Sequence, residues 1–303
     1  MLSTSVTLGS IDFLRSYTQT GLFMSGMSFV PDKLQYIPDP PRQLFTVGVA
    51  LEHLLDKPCL TVVGSRRVSA YGKAVTTQLV TQAARAGAVI ISGLALGVDS
   101  IAHRAALEAG GPTIAVMPAG LDKIYPASHA NLAKQIIQQG GALVSEYPPG
   151  TPPYKYNFVE RNRLASGLSD AVLITEAGEK SGTLHTAQFA LEQGKEVLAV
   201  PGNITSPTSV GANNLIKAGA TPVTCIADLL RALGLSQTKQ SRAPQGSTPE
   251  EQMILDLIFA GTADGSDLLA KSQLEVSIFN QSLTMLEITG KVQALGNNQW
   301  ALQ

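Results

Sequence analysis

Charge is scarce in this chain and has no dominant sign: Lys and Arg number 22 and Asp and Glu 23 among 303 residues, for a formal net charge of −1. No overall field draws a polyanion, so any binding of nucleic acid has to come from a local pocket. Cysteine is nearly absent. Cys59 and Cys225 both stand beside apolar residues in strand-like segments, which gives no disulfide framework and leads us to expect two buried free thiols in a reducing cytoplasm. The N-terminus lacks a basic region followed by an apolar core, and no stretch approaches the ~20 apolar residues of a membrane span. A cytoplasmic protein without a membrane partner is expected. His53, His103, His129 and His185 show no ligand spacing with cysteines or carboxylates, so neither a metal nor another cofactor is expected.

Apolar residues are plentiful, at 44%, enough for one large core and a small second one. Strand-like runs at 59–63, 88–92, 113–117, 142–145, 170–175 and 196–200 alternate with helix-patterned segments at about 70–86, 99–109, 127–138, 158–168 and 182–193. This alternation predicts an α/β fold, a doubly wound parallel sheet covered on both faces, with its regular part starting at Cys59. Ligands of such sheets gather at the carboxyl edge, where Gly64-Ser65, Ser92-Gly93 and Gly120 follow strand ends. The expected division is an appendage at 1–32, the α/β domain at 33–234, a linker at 235–248 and a second domain at 249–303. In that last part Thr248-Pro249-Glu250-Glu251 reads as a capping box, Ser266 and Ser277 as further caps, and 291–302 as a hairpin about Gly296-Asn297-Asn298. Three helices and a two-stranded wing make a winged helix. From Pro249 onward the chain carries about −5, and before it about +4. Helix 278–289 contains no Lys or Arg, so phosphate contacts of the usual recognition helix are missing and a protein-contact or packing role is expected.

The densest chemistry lies between Lys155 and Gly202. Lys155, Phe158, Arg161, Asn162 and Arg163 follow the stiff loop SEYPPGTPP, and a helix opens at Ser181-Gly182-Thr183, where unpaired N–H groups would favour a phosphate. Cations beside an aromatic ring suit a polyanion with stacking surfaces: a nucleotide or single-stranded nucleic acid. The alternative puts Phe158 in the core and leaves the cations solvated. In VVGSRRVSAYG, Gly64-Ser65-Arg66 stands between a strand and a helix, and Arg66 could pair with phosphate; a tight turn with an exposed arginine is the other reading. The spacing is not that of the GxGxxG fingerprint, which disfavours NAD. Asp99 is expected to cap a helix and His103 to pack, in preference to an acid–base couple four residues apart.

Taken in order, VVGSRRVSAYG, SGLALGVDSIAHRAAL, AGLDKIYP, SEYPPG, FVERNRLASGLS, EAGEKSGTLHTA and AVPG closely resemble the DNA processing protein A family, also called Smf, from about residue 34 to 232. The resemblance implies an extended Rossmann-like protein without known catalysis. Such a protein dimerises, binds single-stranded DNA and loads a RecA-type recombinase in natural transformation. It places DNA contacts on Arg66 in the Gly64-Ser65-Arg66 loop and on Lys155 and Phe158, with Arg161, Arg163 and the Ser181-Gly182 turn close by; Asn162, between the two arginines, could hydrogen-bond locally or contact the ligand. The family's N-terminal helical domain is expected to be absent or reduced to residues 1–32. The segment 215–225 is the expected dimer contact. Two rival functions use the same core: a small-ligand or nucleotide carrier, and a nucleoside-monophosphate phosphoribohydrolase. The hydrolase reading lacks its carboxylate, since Thr186 stands where that enzyme's glutamate would be.

Overall fold

CLTVV, VIIS, TIAVM, ALVS and AVLI carry almost no polar side chains, and each forms a strand buried along its whole length. Runs of this kind belong in a parallel sheet covered on both faces. In this computed structural model the described residues are 24–27, 30–235, 245–296 and 298–302. They divide into two units, one within 1–236 and one within 237–303.

In chain order the first unit runs β1 (Met24–Met27), α1 (Asp32–Gln35), β2 (Leu44–Gly48), α2 (Leu51–Leu55), β3 (Cys59–Val63) and α3 (Ala70–Arg85). It continues with β4 (Val89–Ser92), α4 (Val98–Glu108), β5 (Thr113–Met117), α5 (Ala130–Gln138), β6 (Ala142–Ser145) and α6 (Lys155–Leu168). It ends with β7 (Ala171–Ile174), α7 (Thr183–Glu192), β8 (Glu196–Ala199), α8 (Val210–Lys217), β9 (Thr221–Pro222) and α9 (Ile226–Ala232). The nine strands lie in the order β1-β2-β6-β5-β4-β3-β7-β8-β9. From β6 through β9 the neighbours are parallel, as expected of a doubly wound sheet. On one face α3, α4 and α9 pack on β3 and β4 through Leu79, Ala83, Ala102 and Leu229. On the other, Leu164, Ala165 and Leu168 of α6 pack with Leu34, Leu54 and Ile91.

Two expectations are corrected here. The sheet does not begin at Cys59: β2 pairs antiparallel with β6, and β1 pairs antiparallel with β2. Residues 24–27 thus extend the sheet rather than forming part of an appendage, while the helix expected after Ser10 lies outside the described residues. Cys59 is buried, with its thiol pushed up to about 11 by burial, but Cys225 is exposed. The strand ends at Pro222, and Cys225 instead caps α9, its N–H donating to Asp228 Oδ2 at 3.2 Å. In the segment 215–225, Leu215 and Ala220 pack on the protein's own core and Val223 is buried.

The second unit has its own core of Ile254, Leu255, Leu268, Phe279, Leu283 and Leu286. It comprises α10 (Pro249–Phe259), α11 (Gly265–Ser272), α12 (Val276–Ile288) and the antiparallel pair β10 (Val292–Gly296) and β11 (Gln299–Leu302), which is a winged helix. Thr248 Oγ1 accepts from Glu251 N–H at 3.2 Å, while the Glu251 carboxylate takes the N–H of Ser247 rather than that of Thr248. Asp264, not Ser266, caps α11, and α12 starts after Glu275 without a side-chain cap. A carboxylate one position before the helix reaches two N–H groups, those of Ser266 and Asp267. Among the described residues, no helix is long and apolar enough to cross a membrane, and no cluster of His, Cys, Asp and Glu is placed to hold a metal.

Candidate functional site

The chain winds outward from β3 to β6 and then returns to β7 on the other side of β3, so the sheet's switch point lies between β3 and β7. Loops diverge there, leaving a crevice at the carboxyl ends of the strands. Gly64–Arg67 follows β3 and Glu176–Gly182 follows β7. Glu176 joins them: its carbonyl accepts from Ser65 N–H at 2.8 Å, and its buried carboxylate takes both the N–H and the hydroxyl of Ser69. A Cβ at Gly64 would lie 2.6 Å from Val98 and 2.9 Å from the Glu176 carbonyl, so only glycine lets the loop settle this close to β7.

The crevice is a cavity of about 560 Å³. Gly64, Ser65, Arg66 and Arg67 line one wall, Phe158, Val159 and Asn162 of α6 a second, and Lys180, Ser181, Gly182 and Thr183 a third. Eight of the ten residues expected at the site therefore line one cavity, counting Arg161 at its floor. The Arg66 guanidinium lies over the Phe158 ring, 5.3 Å from its centroid. Phe158 is half-buried, and Tyr125 meets it edge-on, with centroids 5.5 Å apart and planes at 73°. An exposed cation over an aromatic face presents phosphate recognition and a stacking surface together.

The remaining cations of α6 behave differently. Lys155 does not line the cavity; it begins α6 instead of standing on the preceding loop, because the helix starts three residues earlier than expected. It is exposed and shares the helical face of Phe158 and Val159, three and four residues on. Arg163 is 5% exposed and faces away: Nε donates to Asp39 and Nη2 to both Glu146 oxygens, each at 2.8 Å. Residues two apart on a helix point in different directions, so Arg161 and Arg163 cannot serve one ligand. Arg161 is 4% exposed, and its Nη1 donates to the carbonyls of Gly93 and Val116. It binds the protein's own backbone.

Helix α7 also differs from expectation. Its first N–H groups are not left unpaired: Thr183 N–H donates to Ser181 Oγ at 3.3 Å, Leu184 N–H to Ser181 O at 3.1 Å and His185 N–H to Gly182 O at 3.2 Å. Lys180 and the other loop cations, rather than free helix amides, give this wall its character.

At the floor, Asp99 is the second residue of α4, behind an N-cap at Gly97, and its carboxylate turns back to accept from Gly93 and Ala95 N–H. Burial pushes its carboxyl upward, opposed by the Arg161 guanidinium and by those two N–H donors. These contacts hold the 93–97 loop, in which buried Leu94 adopts φ 58°. His103 makes no pair with Asp99. Its Nδ1 lies 2.7 Å from Thr113 Oγ1, whose own hydrogen goes to Ile90 O, so Nδ1 carries the proton. Burial pushes this histidine down to about 3. Arg67, Lys180, Asp99, Glu176 and Tyr125 were not singled out as ligand-site residues from sequence. Arg67 and Lys180 had adjacency to Arg66 and Ser181 as a signal, and Tyr125 had its place in AGLDKIYP, after the strand end at Gly120.

The profile of the family DNA recombination-mediator protein A matches residues 22–234. Protein Smf of Escherichia coli (strain K12) is 45% identical over 235 residues, covering 77% of this chain and 62% of that protein. The chain thus spans less than two thirds of that relative's length. The DNA processing protein DprA of Bacillus subtilis (strain 168) is 43% identical over 204 residues, covering 67% of this chain and 68% of its own length. Among solved structures, DNA processing protein A from Helicobacter pylori, described for its single-stranded DNA binding mode, is 36% identical with a TM-score of 0.63, covering 71% of this chain and 97% of that one. DprA from Streptococcus pneumoniae is 38% identical with a TM-score of 0.63, covering 73% and 77%. With its doubly wound sheet and the motifs around the switch point, the chain belongs to the DNA recombination-mediator protein A family, the DprA or Smf proteins.

Proposed function

We propose that this protein binds single-stranded DNA through the switch-point cavity and acts, without catalysis, as a homodimeric mediator that passes the strand to a RecA-type recombinase. The observation that carries this reading is the Arg66–Phe158 pair, an exposed guanidinium over an aromatic ring at the mouth of a cavity also lined by Arg67 and Lys180. In a chain of net charge −1, these cations are a local concentration. The likeness to the H. pylori protein, described as binding single-stranded DNA, supports the same reading. Lys155, one helical turn from Phe158, would extend the phosphate track. A hydrolase reading is disfavoured, because Thr186 stands where that enzyme's glutamate would be, Asp99 at the cavity floor is committed to the Gly93 and Ala95 N–H groups, and nearby Glu176 is committed to Ser69. A nucleotide carrier would use the cavity without needing Lys155.

The test is a titration of a labelled oligonucleotide, single-stranded and duplex, with free nucleotides as competitors. Preference for the single strand, weakened alike on all sequences and with a flatter salt dependence in the Arg66→Ala plus Lys155→Ala protein, is expected. Unchanged affinity in that folded variant, or displacement by mononucleotides at equal concentration, rejects the reading. Light scattering at tens of micromolar protein tests the dimer.

A further inference from the structure

At the edge where Arg66 and Phe158 meet, one aromatic side chain has no assigned task. Tyr125 is 45% exposed, on the loop after β5, and its ring touches Phe158. Its hydroxyl has no hydrogen-bond partner among the described residues. Of the other exposed tyrosines of this unit, Tyr71 donates to Pro201 O at 2.7 Å, Tyr154 and Tyr156 stack on each other, with centroids 5.7 Å apart and planes at 5°, and Tyr36 ends α1, whose Leu34 and the following Ile37 lie by Gly167, toward the far end of α6 from Phe158. The Tyr125 loop is also anchored. Gly120 N–H donates to Thr151 O at 3.0 Å, and Asp122 Oδ1 accepts from Gly150 N–H at 2.7 Å, which tie it to the proline-rich 145–153 loop. Lys123, two residues before Tyr125, is exposed.

The geometry points to Tyr125 as a second base-stacking platform, taking the base next to the one on Phe158, with Lys123 beside the linking phosphate. The inference rests on the single-strand reading above. Three facts carry it. The two rings are in contact yet steeply inclined, so a chain laid over both turns successive bases apart instead of keeping them stacked on one another. The anchored loop holds the Tyr125 ring before any ligand arrives, which lowers the ordering cost of binding. Beside the Arg66–Phe158 pair stands a second exposed ring with an exposed cation two residues away in the chain. Stacking on a ring tolerates any base, as a mediator without sequence preference requires.

The experiment compares the wild-type full chain with its Tyr125→Leu, Tyr125→Phe and Phe158→Leu variants. Each is titrated with a labelled single-stranded oligonucleotide and with the same backbone made abasic. Tyr125→Leu is expected to bind the base-bearing strand at least fivefold more weakly, Tyr125→Phe within twofold of wild type, and all three proteins to bind the abasic strand alike. Ultraviolet crosslinking of the wild-type complex with 5-iododeoxyuridine at successive positions should place adducts on Tyr125 and Phe158 at neighbouring nucleotides; this needs no variant to fold. A Tyr125→Leu protein that binds within twofold while Phe158→Leu is weakened, together with no adduct at Tyr125, overturns this inference alone. A loss that persists on the abasic strand makes Tyr125 a prop for Phe158 and also overturns it. Failure of the wild type to bind single strands rejects the function and this inference with it.

Discussion

Arg66 and Arg161 show how two arginines at one cavity carry opposite consequences. Arg66 is exposed, so Arg66→Ala should leave stability within about 0.5 kcal/mol of wild type, while lowering the salt slope of single-strand binding by about one. Arg161→Ala would strip the Gly93 and Val116 carbonyls of their donor and leave buried Asp99 without its cation. A loss of about 3 kcal/mol or more in urea unfolding is expected, whatever happens to binding. If Arg161→Ala instead unfolds like wild type, its backbone contacts contribute nothing net. His103 adds a pH dependence. Its folded pKa, about 3, lies below the unfolded value, so the fold holds it neutral while the unfolded chain takes up a proton as pH drops through 6.5. Stability therefore falls with acidification, by about 2 kcal/mol from this group between pH 7 and 5. Urea midpoints across that range should show a shallower fall in His103→Asn; an equal fall in both proteins assigns the effect elsewhere.

At the scale of elements, the cavity depends on how α3 and α6 are seated. Helix α3 is capped by Ser69, whose Oγ accepts from Gly72 N–H at 3.0 Å and donates to Glu176 at 2.8 Å. One side chain thus caps a helix and satisfies the buried carboxylate that pins the Gly64–Arg67 loop. Ser69→Ala should cost about 1–2 kcal/mol, more than an exposed cap alone, and should weaken single-strand binding as the loop loosens. Urea unfolding and a titration on the same preparation test this; lost stability with unchanged affinity would show the loop holding its place without the cap. Helix α6 is held from the other side, where Thr61 Oγ1 donates to Ala165 O at 2.6 Å and Arg163 joins it to Asp39 and Glu146. Its buried face fixes where Phe158 stands.

For the whole molecule, charge is divided along the chain, about +4 before Pro249 and −5 from there on. Each unit has its own apolar core. An acidic winged helix whose helix α12 carries no Lys or Arg repels phosphates instead of releasing their counterions. Removing residues 237–303 should leave single-strand affinity within about threefold at matched salt. A tenfold loss, roughly 1.4 kcal/mol, with the shortened protein folded, would mean that this unit supplies binding energy.

What the sequence determined is what neighbours along the chain can decide. The buried strands β3 to β8 fall within a residue of their apolar runs, and Thr248 caps α10 as its spacing requires, because burial on both faces and helix capping are local patterns. That Gly64, Ser65, Arg66, Phe158, Asn162, Ser181 and Gly182 belong together at a candidate site was legible because cations, small residues and a ring follow strand ends or cluster on one short helix, and all of them line one cavity. What only the tertiary structure decided is which of these face one another. Strand β2 is half-buried and finds its partner in distant β6, so its short LFTVG run gave no alternation to extend. Arg161 and Arg163 look like ligand cations in sequence, yet α6 turns one into the cavity floor and the other toward Asp39 and Glu146. Tyr125 reaches Phe158 only because β5 ends and α6 begins at the same edge of the sheet, and a contact between segments so far apart in the chain exists only once the sheet has brought them together.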